Sequence, residues 1–188
     1  MNVGMRECLW LLLALPGAGS ANDLIGRIVP PYPQGLQDIG GSCLSDSSDY
    51  ERICDYSIGL LAEAAAGPDG DPNGNPDGGP NGEPGSDTEA VPRYIIAGRL
   101  AGRDGQQALW EITDALPFPK AGKQFHLQIG SCRADGNDDG KVVAIVRQDV
   151  RNELLTDVAW ARRLDLASGK FMPVSGKVDC INEAYYGL

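Results

Sequence analysis

The run VPRYIIAGRLAGRDGQQALWEIT, residues 91–113, alternates apolar and polar side chains on both sides of a glycine-containing turn. Tyr94, Ile96 and Leu100 fall on one face of its first half, and Ala108, Trp110 and Ile112 on one face of its second. A period of two residues is what a strand with one buried face requires, and Arg103-Asp104-Gly105 supplies the turn between the halves. The run therefore reads as two strands.

The same pattern extends in both directions. Upstream, YSIGLLAEA (residues 56–64) aligns Tyr56, Ile58, Leu60 and Ala62. Downstream, DALPFPKAG (114–122) reads as a proline-containing loop, and KQFHLQIGSC (123–132) puts Phe125, Leu127 and Ile129 together. ADGNDDG turns the chain into KVVAIVRQ (141–148), which is apolar on both faces, as a central strand must be. DVRNELLTD (149–157) reads as a helical turn. VAWARRLDL (158–166) aligns Val158, Trp160, Leu164 and Leu166, and Ala167-Ser168-Gly169 is a hairpin turn into KFMPVSG (170–176). No sustained amphipathic helix occurs. The spacing predicts a mainly β chain, a single antiparallel β-sandwich or open barrel of roughly six or seven strands.

Between the first two strand-like runs lies GPDGDPNGNPDGGPNG (67–82), tandem copies of x-Pro-(Asp/Asn)-Gly. Each copy favours a β-turn, and none carries an apolar side chain that could offset the entropy of ordering. Glycine does not recur at every third residue, so a collagen helix is excluded. Residues 67–88 are expected to form a disordered low-complexity loop inserted between two strands. Asp69, Asp71, Asp77, Glu83 and Asp87 place five of the chain's acids in it.

The N-terminus has a different character. MNVGMRE, the apolar run CLWLLLAL and the small residues of PGAGSA have the layout of a secretory signal peptide over residues 1–21, cleaved after Ala21. Residues 22–42 follow as an extended strap, with Pro30, Pro31 and Pro33 around Tyr32, and residues 43–188 form the β domain. Cleavage would remove Cys8 and leave Cys43, Cys54, Cys132 and Cys180, an even set suited to two disulfides in an oxidising compartment. The favoured pairing is Cys43 with Cys54 and Cys132 with Cys180. Zinc is disfavoured, since no C-x-x-C spacing occurs and His126 is the one histidine.

Removing residues 1–21 takes Arg6 and Glu7 with it, so the net charge stays at -10. That charge argues against nucleic acid and anionic membrane surfaces, and no second apolar stretch long enough to span a bilayer follows the signal. Among candidate sites, Asp135, Asn137 and Asp139 occupy alternate positions before Gly140, as in the first half of a calcium loop. The second half is missing, because Val143 and Val146 stand where further ligands would fall; a polar hairpin turn is the competing reading. His126 is expected on the wetter face of its strand, without a G-x-S-x-G nucleophile elbow anywhere. The carboxylate pairs Glu111 with Asp114, Asp135 with Asp139 and Asp157 with Asp165 carry no specific signature. Trp110 and Trp160 are expected in the core, and Tyr185 and Tyr186 to pack the C-terminal tail.

Together these features point to a periplasmic or secreted binding or inhibitory module without catalytic residues. Its partner would be a protein or a cell-envelope component, and no cofactor is implied beyond the calcium candidate. The alternatives are a cell-envelope hydrolase acting through carboxylates, with or without His126, and a calcium-stabilised structural protein.

Overall fold

The computed structural model describes residues 20–45, 54–64 and 90–187. The signal-peptide reading up to residue 19, the whole repeat with the loop expected at 67–88, and residues 46–53 between Cys43 and Cys54 lie outside the described residues.

The chain is mainly β and antiparallel, its strands arranged in three sheets. The first is built on the long hairpin of the opening sequence. Strand β4 (Pro92–Asp104) pairs with β5 (Gln107–Pro117), and β3 (Tyr56–Glu63) pairs with β4. The edges are β1 (Ile28–Val29), beside β5, and β2 (Leu36–Leu44), beside β3. The second sheet runs β12 (Lys170–Pro173), β11 (Val158–Asp165), β9 (Val142–Arg147), β6 (Phe125–Ile129). The third is small: β10 (Leu154–Leu155), β13 (Val178–Ile181), β7 (Cys132–Ala134), β8 (Asn137–Asp138).

Three apolar layers hold the sheets together. Between the first and second sheets lie Ile58, Ile95, Ala97, Val143, Leu164 and Phe171, with Trp160 packed against them. On the opposite side of the second sheet, Val142, Ala144 and Val146 meet Leu155, Cys132 and Cys180 of the third. Strand β9 thus buries alternate side chains on each face, which explains why KVVAIVRQ is apolar throughout. The third layer covers the outer face of the first sheet, where Leu24, Val29, Leu61, Ile96 and Ile112 cluster with Tyr32 and Trp110.

That outer layer exists because of the strap. Strands β1 and β2 stand at opposite edges of one sheet, with β5, β4 and β3 between them. Four inter-strand spacings amount to about 19 Å. The chain from Val29 to Leu36 makes that crossing and ends in a turn where Leu36 N–H donates to Pro33 O at 3.0 Å. The strap is shorter than residues 22–42. Ala21–Asp23 form a 3-10 turn capped by Ser20, and from Leu36 the chain is already the edge strand β2.

Several other expectations are corrected. The strands are more numerous than six or seven, because pieces of two to four residues complete the edges and the third sheet. DVRNELLTD is not helical: Asp149 accepts from the Arg151 N–H in a tight turn, and Leu154–Leu155 then pair with β13. The loop expected from Asp114 begins later, since β5 runs on to Pro117 opposite Tyr94. Val158 does not share a face with Trp160; a bulge shifts the register between them, and Val158 joins the layer toward the third sheet. Leu61, on the face of β3 opposite Leu60, is fully buried because the strap covers it.

The cysteines take the favoured arrangement. Cys132 and Cys180 face each other across β7 and β13, and Ile181 N–H donates to Ser131 O, which makes theirs a non-hydrogen-bonded pair, the closer of the two antiparallel geometries. Cys43 and Cys54 have Cα atoms 5.1 Å apart, within disulfide range. Among the described residues no helix is long and apolar enough to cross a membrane.

Candidate functional site

The strap crosses a part of the first sheet where side chains are small. Strand β3 presents Ser57, Gly59 and Leu61 toward it, β2 contributes Gly41, and β4 contributes Gly98. A slot of about 250 Å³ remains, with Tyr32 on the strap, Trp110 on β5, and Asp38, Ser42, Ser57 and Gly59 around it. Trp110 lies against Gly98, its Cβ and Cε3 atoms 3.4 and 3.5 Å from where a Cβ would stand. A larger residue at position 98 would displace the ring.

Asp38 is held at the rim. Its Oδ2 accepts from the Tyr32 hydroxyl at 2.8 Å, and its Oδ1 accepts from the Gly40 N–H at 2.9 Å, inside the bulge of β2. Burial first, then the hydrogen bond to Asp38 and its negative charge, push the Tyr32 phenol well above the ordinary tyrosine range. Tyr32 therefore stays protonated and keeps donating, which fixes the strap's centre over the sheet.

Two further clefts adjoin the 3-10 turn that leads into the strap. One of about 460 Å³ lies between the 3-10 turn, the strap and the ends of β3 and β4. It is lined by Asp23, Arg27, Glu63, Arg93 and Tyr94, with Arg93 paired to Glu63 at 3.2 Å. The other, a broad cleft of about 940 Å³, runs from Ala21 and Val91 along Leu116 to Phe118 and Lys120. Both sit where β3 ends and β4 begins.

The residues singled out from the sequence lie elsewhere and are engaged. Asp135 and Gly136 both have positive φ, 51° and 78°, as the central residues of a two-residue hairpin between β7 and β8 require. Asp135 Oδ1 accepts from Lys177 N–H at 2.8 Å, and Asn137 Nδ2 donates to Asp135 O at 3.3 Å. Asp139 turns away to Arg163, 2.5 Å from its Nε, and to Lys141 at 3.7 Å. Burial alone would raise the Asp139 pKa, but these hydrogen bonds and charges outweigh it and hold the carboxyl below its usual range. Among the described residues no group of three or more His, Cys, Asp or Glu side chains converges in a way that could hold a metal ion.

His126 is not on a wet face. It pairs with Val146 of β9, on the side turned toward the third sheet, and its Nδ1 is buried without a hydrogen-bond partner among the described residues. Its Nε2 lies 2.9 Å from Gln128 Nε2, and Ser131 Oγ donates to Gln128 Oε1 at 2.6 Å. Desolvation lowers its pKa, opposed by the charge of Glu183. It lines none of the three clefts. The candidate carboxylates do structural work: Asp114 accepts from Phe171 N–H at 2.8 Å and so clamps β12 to β5, Asp157 pairs with Arg147, and Asp165 caps the turn at Ser168. Glu111 stands in register with Arg99 and Ile28. Trp160 and Trp110 are partly buried against apolar layers, and Tyr186 donates to Glu153, tying the tail down.

The sequence reading missed the slot. Its signal was the face of YSIGLLAEA opposite Ile58 and Leu60, where Ser57 and Gly59 supply almost no side-chain volume beneath a proline-rich segment. These features define the class: a mainly antiparallel β protein with two cysteine pairs at disulfide distance and an aromatic slot under a strap. Comparison with known protein families, curated proteins and solved structures finds no match.

Proposed function

We propose that the protein is an exported binding module without catalytic residues, whose contact face is the strap side of the first sheet. One observation carries this reading: each of the three clefts is lined in part by the strap or by the 3-10 turn that leads into it. Concave, partly apolar surface with a few fixed polar groups is what recognition sites are made of. Two cysteine pairs at bonding distance suit an oxidising compartment, which supports export. The partner is then a protein or a component of the cell envelope.

The test is affinity capture from the envelope fraction of the producing cell, with oxidised protein as bait beside a form lacking residues 67–86 and a Val91→Asp variant. Val91 lines the broad cleft and is 58% exposed, so the substitution leaves the core alone. A partner retained by the first two and lost by the third is expected. Retention by Val91→Asp would move the contact face elsewhere, and capture of nothing by any form would overturn the binding reading.

A further inference from the structure

We infer that the slot beneath the strap binds a small organic cation, a methylated ammonium group such as the head of choline, between Tyr32 and Trp110 with Asp38 as its counter-charge. This rests on the binding-module reading and names the ligand class for one of its clefts.

The lining of the slot selects by charge. It carries two aromatic rings and one carboxylate, and no lysine or arginine, in a chain of net charge -10. Anions are disfavoured on both counts. A sugar would need donors and acceptors matched to many hydroxyls, whereas the side-chain donors here are the Trp110 indole N–H and the hydroxyls of Ser42, Ser57 and Tyr32, and the last is committed to Asp38. Each Asp38 oxygen already accepts one hydrogen bond, so its capacity for further hydroxyls is reduced while its full charge remains. A quaternary ammonium group asks for that combination, a charge without hydrogen-bond demand and aromatic faces whose quadrupoles attract a cation.

The geometry suits an unpolar-coated cation as well. Ser57 and Gly59 keep the floor low, Val29 and Ile96 add apolar lining, and the volume of about 250 Å³ holds a compact group rather than a chain. The ring of Trp110 packs against the outer apolar layer, and the hydroxyl of Tyr32 is held by its bond to Asp38. Both are therefore in place before a ligand arrives, which lowers the ordering penalty of binding.

The experiment is an NMR titration of the oxidised protein, following the Trp110 indole, with choline chloride, with sodium chloride at equal ionic strength, with the alcohol in which tert-butyl replaces trimethylammonium, and with a neutral disaccharide. Saturable shifts with choline are expected, weakened about tenfold or more for the uncharged alcohol and for Asp38→Asn. Tyr32→Phe, which keeps the ring, should retain binding where Tyr32→Leu loses it. Equal affinity for the uncharged alcohol, an unchanged Asp38→Asn, or no saturable response to choline would each overturn the assignment. Saturation by the disaccharide in place of choline would overturn it too while leaving a binding module standing. Because the capture experiment uses the whole face and no small molecule, the two readings can fail separately.

Discussion

Replacing Asn182 by alanine should destabilise the folded state by about 2–4 kcal/mol. Asn182 is 1% exposed, and its Nδ2 donates to the carbonyls of Asp149 and of Asn152, the latter at 2.6 Å. Its backbone N–H donates to Glu153 O at 3.0 Å and its carbonyl accepts from Tyr185 N–H, and an alanine keeps both of those. What alanine loses is the side-chain amide, leaving two carbonyls of the 149–153 turn without their donor. A net hydrogen bond is worth about 1 kcal/mol, and each buried group left unpaired costs about 1–3 kcal/mol, which sets the range.

For a chain of this length each kcal/mol lowers Tm by roughly 2–4 °C. Equilibrium urea unfolding of the oxidised protein should show the midpoint falling with an unchanged slope, because the surface exposed on unfolding is the same. Asn182→Asp is the sharper variant. It is isosteric but turns a donor into a carboxylate facing carbonyl oxygens, so at neutral pH it should be worse than alanine, and it should recover in part when acid protonates it. A midpoint change for Asn182→Ala below about 0.5 kcal/mol, or Asn182→Asp no worse than Asn182→Ala, would refute the view that this amide is what ties the turn to the tail.

Other expectations follow from the same layers. His126 has its pKa lowered by desolvation, so its neutral form is preferred in the folded state; its contribution is fully present above about pH 6.5 and is lost as pH falls through the depressed folded value, a slope that His126→Gln should remove from a pH series of melts. Asp139→Ala should destabilise equally with and without a calcium chelator, because Arg163 and Lys141 are its partners; a loss seen only in calcium would restore the metal reading. Deleting residues 67–86 should leave Tm nearly unchanged, since Glu63 N–H already meets Val91 O at 3.2 Å and holds the ends of β3 and β4 together. Gly98→Val should shift Trp110 fluorescence and lower stability, because a Cβ there stands 2.5 Å from Ser57 Oγ.

Much of the fold was legible because strand side chains alternate between two faces, and a period of two residues survives in their composition. YIIAGRL, ALWEI and VVAIV each occupy the positions their patterns predict. The pattern failed where no face is buried over any length. Ile28–Val29 and Leu154–Leu155 are too short to show a period, and in LQDIGGSCL the bulge at Ile39 and Gly40 breaks the alternation. Val158 was misread for a related reason, since a single inserted residue reverses every side chain beyond it.

The site was less legible than the fold. A slot is defined by missing volume, and Gly59 beneath Tyr32 becomes meaningful only when the topology has laid the strap across it. The acidic turn at Asp135 looked like chemistry because calcium loops and tight hairpins draw on the same residues; positive φ at Asp135 and Gly136 accounts for both without a metal.

The crossing of the strap also orders events in time. A chain emerging N-terminus first, from a ribosome or through an export channel, presents Val29 and Tyr32 long before the surface they cover, because Val29 pairs with Trp110 and the strap needs β3, β4 and β5 already joined beneath it. The earliest residues to appear must therefore be among the last to dock. Until then the apolar face of the hairpin stands open, and a truncation or stall anywhere before Trp110 leaves a belt with nothing to fasten.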